Sequence, residues 1–184
     1  MLTVILVVLA VIIVGLAVFI AQRPGQFRVT RAANIAAPPA TVYAQVDNLR
    51  NWEAWSPWAK LDPAAKTSYE GPTGGVGSAF AWSGNRKIGQ GRMTITESRP
   101  YEFIRFGLDF IKPFKGTNTA EFLFRPDGKG TTVTWTMLGR NNFIAKAIQL
   151  FMNCDKMVGD DFERGLAQLK SVAETEAGAQ RAAA

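Results

Sequence analysis

The chain contains no histidine, and this restricts the chemistry that it can perform. Histidine is the usual general base near neutral pH, a frequent ligand of zinc and iron, and the middle member of a Ser-His-Asp triad. The single cysteine, Cys154, cannot close an intramolecular disulfide and has no neighbours at metal-cluster spacing. We therefore expect no metal and no other cofactor. Catalysis would have to use Asp, Glu, Tyr or Lys in a pocket of low dielectric.

Carboxylates are present along the whole chain, but they do not form an evident acid–base pair. Glu97, Asp109 and Glu121 fall at outward positions of predicted strands. Because charged side chains are rarely buried without partners, solvated surface is the preferred interpretation. Four more carboxylates lie on the solvent-exposed face of a predicted C-terminal helix: Asp155, Asp160, Asp161 and Glu163. The polar candidates for an interior pocket are Tyr69, Asn118 and Arg92.

Three tryptophans and two groups of glycines have spacings that resemble functional patterns. Trp52, Trp55 and Trp58 recur at helical spacing. Their rings either fill one end of the hydrophobic core or form a rim at the mouth of a cavity. The glycines at 74, 75 and 77 lack the Lys-Ser/Thr ending of a phosphate-binding loop, and those at 89 and 91 lack the third glycine and the following helix. A turn and a kinked strand explain these glycines better.

The formal net charge of +6 suits an anionic partner. Lysines and arginines are scattered among acidic residues and form no basic run, so we expect no nucleic-acid partner. The positive charge instead favours proximity to a membrane surface.

The segment Leu2–Ala21 is apolar and uncharged. At about 1.5 Å per residue it spans roughly 30 Å, which matches the core of a bilayer. A cleaved signal peptide would have a charged start, a shorter apolar region and small residues before the cut, whereas Phe19 would occupy the minus-three position. We therefore predict an uncleaved transmembrane anchor over residues 1–22 and a linker over residues 23–26.

Positive charge follows this segment directly, in Arg23, Arg28 and Arg31, while only the terminal amine and Met1 precede it. Positively charged flanks favour the cytoplasmic side of a membrane. The sequence thus predicts a single-pass membrane protein whose domain lies on the cytoplasmic side.

The rest of the chain is predicted to be one α+β domain over residues 27–175, with a flexible tail over 176–184. Two short helices, one ending near Asp47 and one over 48–55, follow the first strand. Turn residues separate the predicted strands, 27–35, 66–70, 78–83, 89–97, 103–110, 117–125 and 131–138. Apolar residues alternate in several of these strands, which predicts an antiparallel sheet covered on one face only. The covered face comprises Met93, Ile95, Ile104, Phe106, Leu108, Phe110, Ala120, Phe122, Phe124, Val133, Trp135 and Met137.

A single long amphipathic helix over residues 142–175 is predicted to cover this face. Its apolar residues recur every three or four positions, from Phe143 to Leu169. Such a helix reaches across a curved sheet, and we expect Gly159 and Gly165 to bend it.

The order of strand, two short helices, six-strand meander and C-terminal helix is that of the START-like helix-grip fold. Several motifs strengthen this likeness: Ala37-Pro38-Pro39, Trp52-Glu53-Ala54-Trp55-Ser56-Pro57-Trp58, Tyr69-Glu70-Gly71, Gly75-Val76-Gly77-Ser78, Gly89-Gln90-Gly91-Arg92-Met93, Thr131-Thr132-Val133-Thr134-Trp135 and Asp160-Asp161-Phe162-Glu163-Arg164-Gly165-Leu166. Over about residues 27–173 the chain resembles the polyketide cyclase/dehydrase-like branch of the SRPBCC superfamily. The resemblance implies a curved antiparallel sheet of about seven strands around the C-terminal helix.

Together with the predicted anchor, this resemblance favours a membrane-anchored protein that holds a hydrophobic small molecule or a lipid between sheet and helix. Pockets of this kind are mainly apolar, and the same residues also serve as ordinary core. Similar folds include lipid carriers, aromatic cyclases, hormone receptors and co-chaperone domains, so the fold does not fix the function. A cyclase- or dehydratase-like enzyme is one alternative and a protein-interaction module another. The predicted ligand-binding residues are Trp55, Trp58, Trp82, Met93, Phe106, Phe124, Trp135, Met137, Phe151 and Met152.

Overall fold

The computed structural model describes residues 1–113, 115–141, 143–148, 150 and 153–183. Within these residues the helices are α1 (Leu2–Ala21), α2 (Pro39–Asp47), α3 (Trp52–Trp55), α4 (Phe143–Ile148) and α5 (Cys154–Ala182), with a 3₁₀ turn at Leu49–Asn51. The strands are β1 (Gln26–Ile35), β2 (Lys66–Glu70), β3 (Ala79–Ser83), β4 (Gln90–Arg99), β5 (Phe103–Lys112), β6 (Gly116–Asp127) and β7 (Gly130–Arg140).

All strands join one sheet in the order β1-β7-β6-β5-β4-β3-β2, and each neighbouring pair is antiparallel. Every predicted strand is present, with ends that shift by no more than about two residues, as is usual for assignments at element ends. The helix-grip fold predicted from the sequence is confirmed.

The predicted covered face is buried, except that Phe110 is only partly covered. On the opposite face most threonines are accessible, as expected for a sheet covered on one side. Thr136 is the exception, at 4% exposure, because its hydroxyl pairs with that of Thr30 across β1 and β7 at 3.1 Å. Alternation of side chains therefore predicted the buried face correctly.

The prediction of one continuous C-terminal helix is wrong. α4 ends at Ile148 and α5 begins at Cys154. The side chain of Asn153 accepts a hydrogen bond from the backbone N–H of Lys156 at 3.0 Å, which is the geometry of a helix N-cap. A new helix therefore starts at this point.

The predicted flexible tail is also wrong, because α5 continues to Ala182. Ala177 is 3% exposed, so the helix still contributes to the core beyond residue 175. Two side-chain hydrogen bonds join this end of α5 to α2, from Gln45 to Glu176 at 2.5 Å and from Thr41 to Gln180 at 3.3 Å. These contacts hold the last turns in place.

Gly159 and Gly165 allow close packing of α5, and the helix is continuous through both. A Cβ atom at Gly165 would lie 2.8 Å from the Trp135 ring and 3.0 Å from Pro57. A Cβ at Gly159 would collide with the guanidinium group of Arg31. The absence of side chains at these two positions lets the helix approach the sheet.

Gly165→Ala should lower the free energy of unfolding by about 1 kcal/mol or more, because overpacking against two rigid rings outweighs the gain in helix propensity. The matched control is Gly178→Ala in the same helix, where a Cβ meets nothing within 4 Å. This second change should stabilise the protein by roughly 0.5–1 kcal/mol. Urea unfolding of the full chain in detergent, followed by tryptophan fluorescence, measures both. Shifts of the same sign would contradict the packing role of Gly165.

At the N-terminus, α1 is the one helix among the described residues that is long and apolar enough to cross a membrane. Its mean hydropathy is 3.5 and only 6% of it is buried, unlike the core helix of a globular domain. Its last turn meets α4, where the Lys146 ammonium donates a hydrogen bond to the carbonyl of Ala21 at 3.0 Å. α4 therefore lies at the level where α1 ends.

Candidate functional site

Aromatic side chains fill the centre of the concave face of the sheet. The rings of Trp135 and Phe162 stack at 4.0 Å with an angle of 6°, which joins β7 to α5. Trp55 and Phe122 are fully buried around them, so no ligand fits between these rings. We call this group the aromatic cluster, and its members are Trp52, Trp55, Phe106, Phe122, Trp135 and Phe162.

Two of the three spaced tryptophans are core residues of this cluster. The indole N–H groups of Trp52 and Trp55 donate to the carbonyls of Val46 and Gln45 at 2.9 and 3.0 Å. Buried indoles normally find such partners. Trp58 is only half-buried and lies at the border of the cluster, 5.8 Å from Trp135 between ring centroids.

The Trp135 indole nitrogen is buried and has no hydrogen-bond partner among the described residues. Buried donors are almost always paired, with protein atoms or with water. This nitrogen lies within the closely packed aromatic cluster, so it does not mark a ligand site.

A second part of the concave face is incompletely covered. α5 packs mainly against β1, α2 and α3, so it does not extend over the strands on the β2 side of the sheet. The side chains left there include four half-buried aromatic rings, Tyr69, Phe80, Trp82 and Phe110. We call these four rings, together with the half-buried Phe27 of β1 at the opposite edge of the sheet, the open wall.

Strand register places the open wall on one face. Phe80 pairs with Met93, and Trp82 pairs with Gly91, which pairs in turn with Phe110. The first row continues through Leu108, Asn118 and Gly139 to Phe27. Paired residues of neighbouring strands point to the same side, so these side chains lie on one face of the sheet.

Glycines let the rings of the wall lie against the backbone. A Cβ at Gly91 would lie 2.5 Å from the Trp82 ring, and the Trp82 indole donates to the carbonyl of Ile88 at 3.0 Å. The register shift between Gln90 and Gly91 marks an irregularity of the strand. The kinked strand predicted around Gly89 and Gly91 is confirmed, and it positions Trp82.

The other glycine group forms the predicted turn. Gly75 and Gly77 have φ angles of 76° and 89°, which glycine tolerates best. The N–H of Gly75 donates to the Asp47 carboxylate at 3.0 Å, and the Tyr43 hydroxyl donates to the same oxygen at 3.1 Å. This acidic side chain therefore holds a loop at the end of the sheet opposite α1.

Of the polar candidates, Asn118 and Tyr69 lie on the concave face and Arg92 does not. Arg92 points outward and pairs with Glu70 at 2.9 Å, so its prediction as a pocket residue is wrong. A Cβ at Gly139 would touch both the Asn118 amide and the Phe27 ring, which places that amide on the wall. The Asn118 side chain has no hydrogen-bond partner among the described residues.

Tyr69 borders the wall and a small surface pocket beside Leu49 and Arg50. The Arg50 guanidinium stacks on the Tyr69 ring at 4.3 Å. Burial raises the pKa of the Tyr69 hydroxyl, and the charge of Glu53 raises it further. The hydroxyl is therefore protonated at neutral pH and can donate a hydrogen bond.

Carboxylates of the sheet point outward, as predicted. Arg105 pairs with Glu97 and with Glu121, the latter at 2.9 Å, and Asp109 accepts from the Thr117 hydroxyl at 2.9 Å. On α5, Asp155 and Glu163 are 60% and 62% exposed and pair with Arg31. No carboxylate among the described residues belongs to the open wall.

A family model described as polyketide cyclase/dehydrase and lipid transport matches residues 26–174. The chain belongs to this family. The match covers the sheet, the short helices and most of α5, and leaves α1 outside. A comparison with curated protein sequences finds no significant match.

Solved structures share the helix-grip fold of this family member at low sequence identity. CV1439 from Chromobacterium violaceum is 17% identical, with a TM-score of 0.57 over 82% of this chain and 98% of that one. The Aha1 dimer from Colwellia psychrerythraea is 17% identical, with a TM-score of 0.59 over 80% and 96%. The di-domain ARO/CYC protein StfQ of the steffimycin pathway is 13% identical, with a TM-score of 0.59 over 83% of this chain and 52% of that one.

The predicted ligand-binding residues divide into three groups in this family member. Trp55, Phe106 and Trp135 belong to the aromatic cluster, and Phe124 is buried beside it. Trp82 belongs to the open wall, Trp58 borders the aromatic cluster, and Met93 and Met137 are buried in the core. Phe151 and Met152 lie outside the described residues. Whether any of them contacts a ligand stays a prediction.

The sequence prediction of the site missed Phe27 and Phe80, and it assigned Phe110 to the covered face only. The signal for all three was present in the alternation of their strands. Alternation identifies a face, however, and not the part of it that a helix leaves uncovered.

Proposed function

We propose that this protein holds a hydrophobic small molecule or a lipid against the open wall, beside a membrane that α1 enters. The observation that carries the proposal is the row of half-exposed apolar side chains on the concave face. Exposed apolar surface that is contiguous and concave is typical of ligand sites. The family's description, which includes lipid transport, supports the same class of ligand.

The shape and polarity of the wall restrict the ligand further. Aromatic rings supply most of the surface, and only Asn118 and Tyr69 supply polar atoms. A mainly apolar molecule with one polar end fits this arrangement, since an amide and a hydroxyl can each form hydrogen bonds with it.

Exposure of the apolar side chains of α1 supports its insertion in a membrane. Nearly all of them face outward, and the helix packs on the domain only at its last turn. Burial of twenty apolar residues in a bilayer would remove this surface from water. The arginines after the span support a cytoplasmic position of the domain.

A cyclase- or dehydratase-like enzyme is the second candidate, and Tyr69 is the observation that favours it. Its hydroxyl borders the open wall and is protonated at neutral pH, so it could donate a hydrogen bond to a polar group of a bound substrate. The carrier is the better-supported function because aromatic rings make up the described part of the wall and the family's description includes lipid transport.

Membranes containing the full chain test both parts of the proposal. After an alkaline wash that removes peripheral proteins, we expect the protein to remain in the membrane fraction. Native mass spectrometry after extraction in mild detergent should then detect one reproducible apolar adduct. Release by the wash would contradict the anchor, and consistently empty protein would contradict the carrier. An adduct that the protein converts to a different mass would favour the enzyme.

A further inference from the structure

The end of the sheet where α1 enters gathers basic residues that are far apart in sequence. Gln26, the first residue of β1, pairs with Arg140 at the end of β7. On the other strands the same end holds the β5–β6 connection, the β3–β4 connection and the start of β2, where Lys66 pairs with Ser83. We call this end the near edge, and its cations are Arg23, Lys60, Lys66, Arg86, Lys87, Lys112, Lys115, Arg140 and Lys146.

None of these nine cations forms an ion pair within the described part of the chain. The nearby carboxylates, Asp62 and Asp109, accept hydrogen bonds from the backbone of Asn85 and from Thr117. The remainder of the protein has twelve cations and thirteen carboxylates. The whole positive excess of the protein is therefore located at the near edge.

α4 adds exposed apolar groups to the same edge. Phe143 and Ile144 are 51% and 61% exposed at the start of this helix. Arg140 precedes them, and the Lys146 hydrogen bond to Ala21 fixes the helix beside the end of α1. A short helix with apolar and basic side chains suits the boundary between headgroups and acyl chains.

We infer that the near edge docks on the anionic headgroups of the bilayer that α1 enters. Phe143 and Ile144 then lie at the headgroup boundary, and the unpaired cations contact lipid phosphates. The part of the open wall formed by Phe27, Trp82 and Phe110 lies next to the bilayer in this arrangement, because these residues are all close to the near ends of their strands. The inference rests on the proposed insertion of α1. It adds to that proposal which end of the domain contacts the bilayer.

Nanodiscs of phosphatidylcholine, with or without phosphatidylglycerol, test this docking on the full chain. The single cysteine is removed by Cys154→Ser, and an environment-sensitive NBD fluorophore is attached after Ile144→Cys or, at the opposite end, after Lys129→Cys. With phosphatidylglycerol we expect a blue shift of the probe at 144 and its quenching by brominated lipid, both reversed by high salt. The probe at 129 should not respond.

Charge reversal at either end of the sheet identifies which end of the domain binds the anionic lipid. Lys112→Glu with Lys115→Glu should abolish the response of the probe at 144, whereas Arg125→Glu with Lys129→Glu makes the same charge change at the far end and should preserve it. Equal losses, or no response to phosphatidylglycerol in the parent protein, would overturn the docking. A chain that does not enter nanodiscs would instead contradict the insertion of α1.

Discussion

Phe162→Ala is expected to lower the free energy of unfolding by about 3–5 kcal/mol, the range for truncation of a buried phenylalanine. Phe162 is fully buried and stacks on Trp135 at 4.0 Å, so it is the main aromatic contact between α5 and the centre of the sheet. Its removal leaves a cavity between two rigid elements, which cannot close because α2 and α3 also hold α5. Urea unfolding of the full chain in detergent measures the loss.

The matched control is Met157→Ala, one turn and a half earlier in the same helix. Met157 is 50% exposed, so its truncation should change the free energy of unfolding by less than about 0.5 kcal/mol. If both variants lost the same stability, the contribution of Phe162 would come from the helix itself and not from the aromatic cluster.

The architecture was predictable because it depends on local alternation. Residues such as Ile104, Phe106 and Leu108 occupy every second position of one strand, and only one face of a sheet can bury all three. Turn residues then fix the strand ends. Both signals lie within a few residues of each other, so they can be read without knowledge of distant contacts.

The break before α5 was harder to predict, since the helical spacing continues across it. Phe143, Ala147 and Leu150 are in phase with Met157 and Val158, so the pattern fits one helix as well as two. The only local signal is Asn153, whose side chain caps the new helix. A single capping residue is a weak signal against a long periodic pattern.

Long-range features of the site could not be predicted from local patterns. The basic residues of the near edge lie between Arg23 and Lys146 and look scattered in the sequence. Antiparallel register brings them to one end of the sheet, and register depends on pairings between distant segments. The extent of the open wall depends likewise on where α5 begins.

Phe110→Gln should raise the dissociation constant of a co-purifying apolar molecule by at least about tenfold, and so lower the fraction of protein that carries it. Covering the exposed part of a phenyl ring contributes about 1–1.5 kcal/mol. An amide in its place would face an apolar ligand without a partner, at a further loss of about 1–3 kcal/mol. Each 1.4 kcal/mol corresponds to a tenfold change in the dissociation constant. Native mass spectrometry of the extracted full chain measures the occupied fraction.

Ile111→Gln is the matched control for this change, because Ile111 follows Phe110 in β5 and points to the opposite face of the sheet. Ile111 is 43% exposed, so both substitutions replace a partly exposed apolar side chain with the same amide in the same strand. Only the substitution on the concave face should weaken ligand binding, since neighbouring residues of a strand point to opposite sides. Equal occupancy in the two variants would place the ligand elsewhere than on the open wall, even if the parent protein carries one.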